Sequence, residues 1–481
     1  MVLDAHIAEL QTLLGTGGLL TRAEDMAAYQ TGARHDRGLA AFVARPATTE
    51  EVSALLACCY RHAIALIPQS GNTGLVSGST PDRSGLQGVL SLDRLRGVFD
   101  LDLDNRSVRV GAGLRLSEIN SRLEPHSLFF PIDLGADPCA GGMAATNTGG
   151  ARFLRFGDVR RNTLGLQVVL ADEQGTVLDL GDGPRKNNTG VDWKQCFIGT
   201  SGAFGVITEC VFNLERLPRQ TATAFLVPKS DGHVTGILGM MEDQLGAYLS
   251  AFEGMSKAAI GCALEHVPSL RNPFPGGVIP DHVILVEISR SWAPREGEQS
   301  LDAVLETVLG EIWARPDEPL ADAFVGRPHE MWAMRHALSE GVKAAGHLVA
   351  FDLSFRRGDV MRFREHMRAE LEASWPAVRV CDFGHVGDGG LHFNLLVGSR
   401  DAEPPSAATV SELRDHVIRV AVETFGGSFS AEHAIGRSNQ PFYDRYTSEK
   451  LKAMASAFKQ QTSPGLIGAA RFGFQEKEER T

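Results

Sequence analysis

Residues 384–394, GHVGDGGLHFN, constrain this chain more than any other segment. Gly387, Asp388, Gly389 and Gly390 form a turn signal between two histidines. The flanks VRVCDF and LHFNLLV have strand character, so the segment predicts a hairpin. A hairpin folds His385 and His392 back toward each other, a geometry that suits one metal ion. Strand alternation places His392 and Asn394 on one face and Leu391, Phe393 and Leu395 on the other. About forty residues on, Glu432 and His433 supply a carboxylate and a third imidazole. Two histidines and a glutamate suffice for a divalent metal with an open coordination position. The spacing is equally compatible with hydrogen-bonded core histidines or surface ones.

At 481 residues the chain is too long for one ordinary core, so two or three domains are expected. A net charge of −12 argues against nucleic acid or an anionic membrane as partner, while leaving room for a local basic pocket. No apolar run reaches the length of a membrane span, and MVLDAHIAELQTLL lacks the basic start of a secretory signal. The seven cysteines form no CxxC pair and are expected to be reduced, mostly buried thiols of a cytoplasmic protein.

In the N-terminal half, Thr48 and Glu51 form a capping box before a helix whose inner face is Val52, Leu55, Leu56 and Cys59. A short strand, AIALIP, leads into SGNTGLVSGS (70–79). Glycines at 71, 74 and 78 allow close backbone approach, and successive N–H groups in such a loop can converge on an anion. A plain turn is the alternative. No helix follows, so this is not the dinucleotide fingerprint. A second glycine-rich stretch, CAGGMAATNTGG (139–150), is expected to be another loop, and two such loops would cradle an extended pyrophosphate cofactor. LGLQVVLADEQGTVLDLG predicts a hairpin turning near Gly175, KNNTGVDWKQCFIG a short helix, and GAFGVITECVFNL a strand. The fold class is therefore α+β with many short strands, not a doubly wound parallel sheet.

PQSGNTGLVSGS, FPIDLGADPCAGGMAATNTGGARFLRFGDV and KNNTGVDWKQCFIGTSGAFGVIT, in this order, resemble the FAD-binding segments of the vanillyl-alcohol oxidase/p-cresol methylhydroxylase family. The nearest branch is that of the D-2-hydroxyglutarate and D-lactate dehydrogenases. The resemblance implies a two-part FAD-binding domain over 1–218, an antiparallel-sheet cap or substrate domain over 219–426, and a C-terminal segment, 427–481, returning to the flavin domain. It implies FAD held non-covalently. Gly71, Asn72, Thr73 and Gly74 would bind its pyrophosphate, with Gly78 and Ser79 closing the loop. Pro131, Gly141, Gly142, Thr146, Asn147, Gly149 and Gly150 would line the flavin and ribityl side, and Gly205 and Ile207 would lie near backbone contacts. Gln69, Ser70 and Ser201 depart from the family's residue types.

In the C-terminal half, HVILVEISRSW reads as a strand, and REGEQSLDAVLETVLGEIW and DVMRFREHMRAELEASW as amphipathic helices. The last helix, TSEKLKAMASAFKQQ, places Leu451, Met454, Ala455 and Phe458 on one face. By resemblance, His385, His392 and Glu432 would hold a divalent ion such as zinc, and His433 would be the general base. Asn394 would touch the substrate carboxylate. Arg335, with Ser339 one turn later, would occupy the place of the family's carboxylate-binding arginine; a structural salt bridge is its alternative role. Where the family has a lysine before an Asp-Leu-Ser strand, this chain has Ala350, with Lys343 or Arg356 as conceivable substitutes. TSPGLIGAARFGF also departs from the family's C-terminal ending.

The expected activity is oxidation of a small D-2-hydroxy acid, with an electron-transfer flavoprotein, quinone or cytochrome as acceptor. A homodimer is compatible with this architecture. An oxidase that passes electrons to oxygen, a metal hydrolase without flavin, and a flavin-holding subunit with a silent site are the rival readings.

Overall fold

The computed structural model describes residues 2–15, 17–34, 36–181 and 183–474. The chain forms two units. Met1–Thr148, Asp158–Arg216 and Glu432–Thr481 make the first, and Gly149–Gly157 with Leu217–Ala431 the second.

The first unit holds a small mixed sheet in the order Leu19–Leu20, Ala40–Ala44, Gln87–Ser91, Leu66–Gln69. Gln87–Ser91 runs parallel to both neighbours, and parallel strands need a crossover. The Thr49–Arg61 helix supplies it. The Thr48 hydroxyl accepts the Glu51 N–H, while the Glu51 carboxylate reaches back to the N–H of Ala47 rather than that of Thr48. Val52, Leu55, Leu56 and Cys59 are buried against Phe42 and Leu66, each apolar side chain contributing roughly 1.5–3 kcal/mol by leaving water.

Beside it lies an antiparallel five-stranded sheet ordered Phe99–Asp102, Ser107–Gly111, Val206–Asn213, Thr163–Val169, Val177–Leu180. The last two strands form the expected hairpin. Its Gly175 has φ +62°, and a Cβ there would sit 2.0 Å from the Ser53 carbonyl oxygen, so only glycine fits.

Three local expectations are corrected. The second glycine-rich stretch is not a loop: Ala140–Thr146 is a helix that ends at Asn147 in the left-handed region, φ 51°. Its alanines and methionine keep helix propensity, and Gly141 serves close packing, since a Cβ there would lie 2.6 Å from Ala112 Cβ. KNNTGVDWKQCFIG gives only a single 3-10 turn, Trp193–Cys196. In the last helix, Glu449–Thr462, Ala455 and Phe458 pack on the core but Leu451 and Met454 are exposed. Lys459 is turned inward instead, its Nζ donating to the Ala203 carbonyl at 2.7 Å. The surface facing this helix offers backbone oxygens, which take a donor and not a methyl group. Burial pulls the Lys459 pKa down to about 7.

The second unit is built on an antiparallel sheet with main path Leu320–Gly326, Gln220–Pro228, His282–Arg290, Leu249–Ser256, Phe383–Gly384, Gly390–Ser399, Gly346–Ser354. Val378–Val380 pairs with Gly390–Ser399. The Lys257–His266 and Pro328–Ala345 helices pack closely, because a side chain at Gly341 would place its Cβ 2.4 Å from Ala263 Cα. The excursion Gly149–Gly157 is fixed to this sheet by Arg152, whose Nε and Nη2 donate to the Glu287 carboxylate at 2.7 and 2.9 Å.

Candidate active site

In the first unit the two glycine stretches converge. A Cβ on Gly71 would lie 3.1 Å from the Cys139 backbone nitrogen, and one on Gly142 would lie 3.3 Å from Ser70 Cβ. Asn72, at φ 53°, donates through Nδ2 to the Thr31 carbonyl and accepts from the Ser79 hydroxyl at 2.9 Å. That pair pins the loop on either side of Thr73, Gly74 and Gly78. Thr73 and Gly78 are half-buried, Gly74 is exposed, and no atom lies closer than 3.9 Å to a Cβ position on Gly74. Among the described residues, no backbone N–H from Ser70 to Ser79 donates to a protein acceptor. A pinned loop of unengaged N–H groups with space above its glycine fits an anionic pyrophosphate.

Other expected flavin-side residues are engaged with the fold. The Thr146 hydroxyl donates to the Gly142 carbonyl at 3.0 Å. Asn147 is held through Oδ1 by the Arg160 N–H and donates through Nδ2 to Asp158, both at 2.8 Å. Pro131, Gly205 and Ile207 are buried, and the Ile207 carbonyl lies 3.3 Å from a Cβ position on Gly141. Gly149 and Gly150 belong to the second unit. The departures are also accommodated. Buried Gln69 donates to the carbonyls of Tyr29 and Ser79, and the Ser201 hydroxyl donates to that of Ile435.

Residues 435–437 are contributors the sequence reading missed. A Cβ on Gly436 would sit 2.2 Å from the Val76 carbonyl oxygen, so only glycine lets this segment lie on the 70–79 loop. Arg437 donates to the carbonyls of Ser77 and Thr80 and to Gln87 Oε1. The only trace in the sequence is a glycine and an arginine soon after His433.

In the second unit the 384–394 hairpin forms as expected. Phe383 pairs with His392, and the His385 carbonyl accepts the N–H groups of Asp388, Gly389 and Gly390. Asp388 is a turn residue, its Oδ1 accepting the Gly390 N–H at 2.9 Å. Gly389 has φ +102°, and a Cβ on it would meet the Phe355 carbonyl oxygen at 2.2 Å. The two imidazoles stand 5.2 Å apart, edge to face.

Behind them lies Glu253, a residue the sequence reading passed over within an apolar strand. Its Oε1 lies 2.9 Å from His385 Nδ1, and its Oε2 accepts from Arg335 Nε at 2.8 Å. All three are buried. Burial would push the Glu253 carboxyl up, but the charges of His385 and Arg335 outweigh it and hold the pKa at about 2. Arg335 thus makes a buried ion pair, its guanidinium 5.1 Å from the Phe383 ring centre. Ser339, one turn later, is exposed.

Across the sheet, Asp352 pairs with His392 and Ala350 with Asn394. Asp352 Oδ1 lies 3.6 Å from His392 Nδ1. Asn394 is buried, with Nδ2 donating to the His392 carbonyl at 3.3 Å. The Ala431 N–H donates to Asp352 Oδ2 at 3.0 Å, which ties the end of this unit to the same strand. Glu432 and His433 follow Ala431 by one and two peptide bonds. His385, His392 and Glu432 each offer a ligand atom within 4.8 Å of the others, and Asp352, His392 and His433 form a second such set. Two nitrogens and a carboxylate oxygen at this spread fit a borderline divalent cation. Lys343 and Arg356 are exposed.

Residues 40–181 match the family model described as FAD binding domain, and residues 217–464 match that of the FAD linked oxidases, C-terminal domain. D-2-hydroxyglutarate dehydrogenase, mitochondrial, of Rattus norvegicus is 35% identical over 406 residues, covering 83% of this chain and 72% of that protein. The chain belongs to the FAD-linked D-2-hydroxyglutarate dehydrogenase family. It is an FAD-linked dehydrogenase with an FAD-binding domain. A putative mitochondrial D-lactate dehydrogenase of Schizosaccharomyces pombe is 30% identical over 447 residues, covering 90% of this chain and 81% of that one. A structure of p-cresol methylhydroxylase with substrate bound shares the fold, at TM-score 0.72 and 14% identity, covering 98% of this chain and 97% of that chain. Among the described residues no helix is long and apolar enough to cross a membrane.

Proposed function

We propose that the chain oxidises a D-2-hydroxy acid of the D-2-hydroxyglutarate or D-lactate type to the 2-oxo acid, using non-covalent FAD and a divalent metal, zinc by the donor set. The observation that carries this reading is the His385, His392 and Glu432 cluster, with His385 buttressed by ionised Glu253. Bound FAD would supply the two-electron acceptor, and a divalent ion at the three ligands would supply a Lewis acid that lowers the substrate hydroxyl pKa.

The chain's own groups would do the rest. Glu253 engages Nδ1 of His385, which sets Nε2 as the ligand atom and raises its basicity. His433 would take the hydroxyl proton as C2 gives up its hydrogen as hydride; an imidazole suits the role because its ordinary pKa lies near neutrality. Asn394 would donate to the substrate carboxylate. Arg335, oriented through Nε by Glu253, would direct the rest of its guanidinium at the same anion, and Ser339 is the weakest member of the set. Electrons would then pass to an electron-transfer flavoprotein, quinone or cytochrome. The seven unbridged cysteines fit a reducing compartment, cytoplasmic in our reading, whereas the rat and fission-yeast relatives are named mitochondrial.

The test is the visible spectrum of the purified protein under anaerobic conditions as D- and L-2-hydroxy acids are added singly. We expect a yellow protein bleached by a D-acid and not by its L-isomer; a colourless protein that takes up no FAD would overturn the reading. Ala350 sits directly opposite Asn394, which supports a substrate with a smaller or less charged side group. Turnover on D-lactate should then exceed that on D-2-hydroxyglutarate, and Ala350→Lys should shift the ratio toward the dicarboxylate. A strong preference of the unmodified chain for D-2-hydroxyglutarate would sink this part.

A further inference from the structure

Two thiols lie outside the proposed chemistry. Cys262, in the Lys257–His266 helix, and Cys381, just before the Phe383–Gly384 strand, are both buried, and their Sγ atoms are 4.0 Å apart. Rotation that closes about 2 Å would bring them to bonding distance. Arg379 Nη2 lies 3.3 Å from Cys262 Sγ.

The pair is asymmetric. The hydrogen bond shared with Cys381 and the Arg379 charge work against burial and draw the Cys262 thiol down. The same hydrogen bond and burial push Cys381 up. Arg379 stands against Cys262 Sγ and favours its thiolate, which makes Cys262 the nucleophile and Cys381 the resolving thiol. Glu265 and Asp382 are the acidic groups near the pair, and their charge works against Arg379. A cavity of ≈ 230 Å³ in the same unit is lined by Ser256, Lys257, Ala258, Asp281, Arg368 and Val380. Ala258 is one turn before Cys262 on the same helix face, and Val380 directly precedes Cys381. Lys257, Asp281 and Arg368 are exposed, so the cavity has a charged mouth.

We propose that Cys262 and Cys381 are a redox-modification site that a peroxide converts to a reversible disulfide. The Cys262 thiolate attacks one peroxide oxygen, the O–O bond breaks, and a sulfenic acid and hydroxide form. The Cys381 sulfur then attacks the sulfenic sulfur. The S–S bond forms, the S–O bond breaks, and water leaves with the thiol proton. Two thiols are oxidised by two electrons and one peroxide is reduced to two waters. The bond would join the Lys257–His266 helix to the segment between Val378–Val380 and Phe383–Gly384, whose Cys381 N–H donates to the Asn394 carbonyl at 2.8 Å. The proposal does not depend on the flavin or metal assignment.

The test treats the purified holoprotein with hydrogen peroxide, blocks remaining thiols by alkylation and maps the peptides by mass spectrometry. We expect one cross-linked pair carrying Cys262 and Cys381, lighter by two hydrogens, and recovery of both thiols with dithiothreitol. Arg379→Met should slow its formation several-fold, and Cys381→Ser should leave Cys262 as a sulfenic acid trapped by dimedone. If the unmodified protein loses half-buried Cys196 first while Cys262 and Cys381 stay alkylatable, the proposal is overturned. The same follows if Cys262 and Cys381 are oxidised but never found cross-linked.

Discussion

The loop at residues 70–79 and the hairpin at residues 384–394 are both glycine-punctuated turns, yet they are held by opposite means. The loop is held by hydrogen bonds of uncharged side chains and by close backbone packing. Asn72 and Ser79 pin it, Gly436 lies against it, and its N–H groups remain available to an anion. The hairpin is held by ionised side chains in the interior. Glu253 joins His385 to Arg335, and Asp352 stands by His392. A site that offers its ligand backbone N–H groups tolerates side-chain exchange around it, so Gln69, Ser70 and Ser201 can replace other residue types while those groups stay in place. A site built from buried charge does not, since each group there depends on its partner's protonation and position.

The sharpest way to break this comparison is to remove a ligand. His385→Ala or His392→Ala should lower kcat/KM by about 10³-fold, the worth of several kcal/mol of Lewis-acid stabilisation, with FAD retained. Chelation with EDTA should reproduce the loss and added zinc should reverse it in the unmodified chain only. Activity that survives both treatments would remove the metal from the proposal.

Next comes the support behind the ligand. Glu253→Gln leaves Arg335 buried without its counter-charge, which destabilises by about 3–5 kcal/mol. It should also weaken metal binding by roughly 10- to 100-fold. The pH dependence tests the cause. Because the folded-state pKa of Glu253 is depressed to about 2 from an ordinary 4.5, its contribution is fully present above pH 4.5 and is lost as pH falls toward 2. Denaturant midpoints of the unmodified chain and the variant should therefore converge across that window; a gap that stays constant would mean the glutamate acts by packing alone.

The backbone-built side should respond to volume instead of charge. Gly436→Ala places a Cβ 2.2 Å from the Val76 carbonyl oxygen, and overpacking of this kind costs about 1–3 kcal/mol. We expect FAD to bind some 5- to 150-fold more weakly by spectral titration, with metal content unchanged. Unchanged FAD affinity would show that residues 435–437 do not shape the loop.

This division also explains what the sequence disclosed. The hairpin, with its histidines and Asn394, was legible because turn glycines and strand alternation are local signals. Glu253 was not, since nothing nearby marks a carboxylate within an apolar strand as the partner of residues 82 and 132 positions away. The 139–150 stretch was misread for a related reason. Glycine signals a loop by conformational freedom, but at Gly141 it provides close approach within a helix, a choice only the tertiary neighbour Ala112 reveals. Lys459 displaced the expected apolar face of the last helix because its acceptor, the Ala203 carbonyl, lies 256 residues away.

The smallest effect is expected at Ser339. Helical spacing sets it one turn from Arg335, and on spacing alone the two share a face. Their environments differ: Arg335 is buried beside Glu253, whereas Ser339 is exposed, and its neighbour Leu338 is the residue that enters the core. Ser339→Ala should therefore leave KM within about twofold and stability within about 0.5 kcal/mol. A tenfold rise in KM with kcat unchanged would show that its hydroxyl contributes to substrate binding, and the carboxylate site would then extend further along this helix than the Glu253 and Arg335 pair.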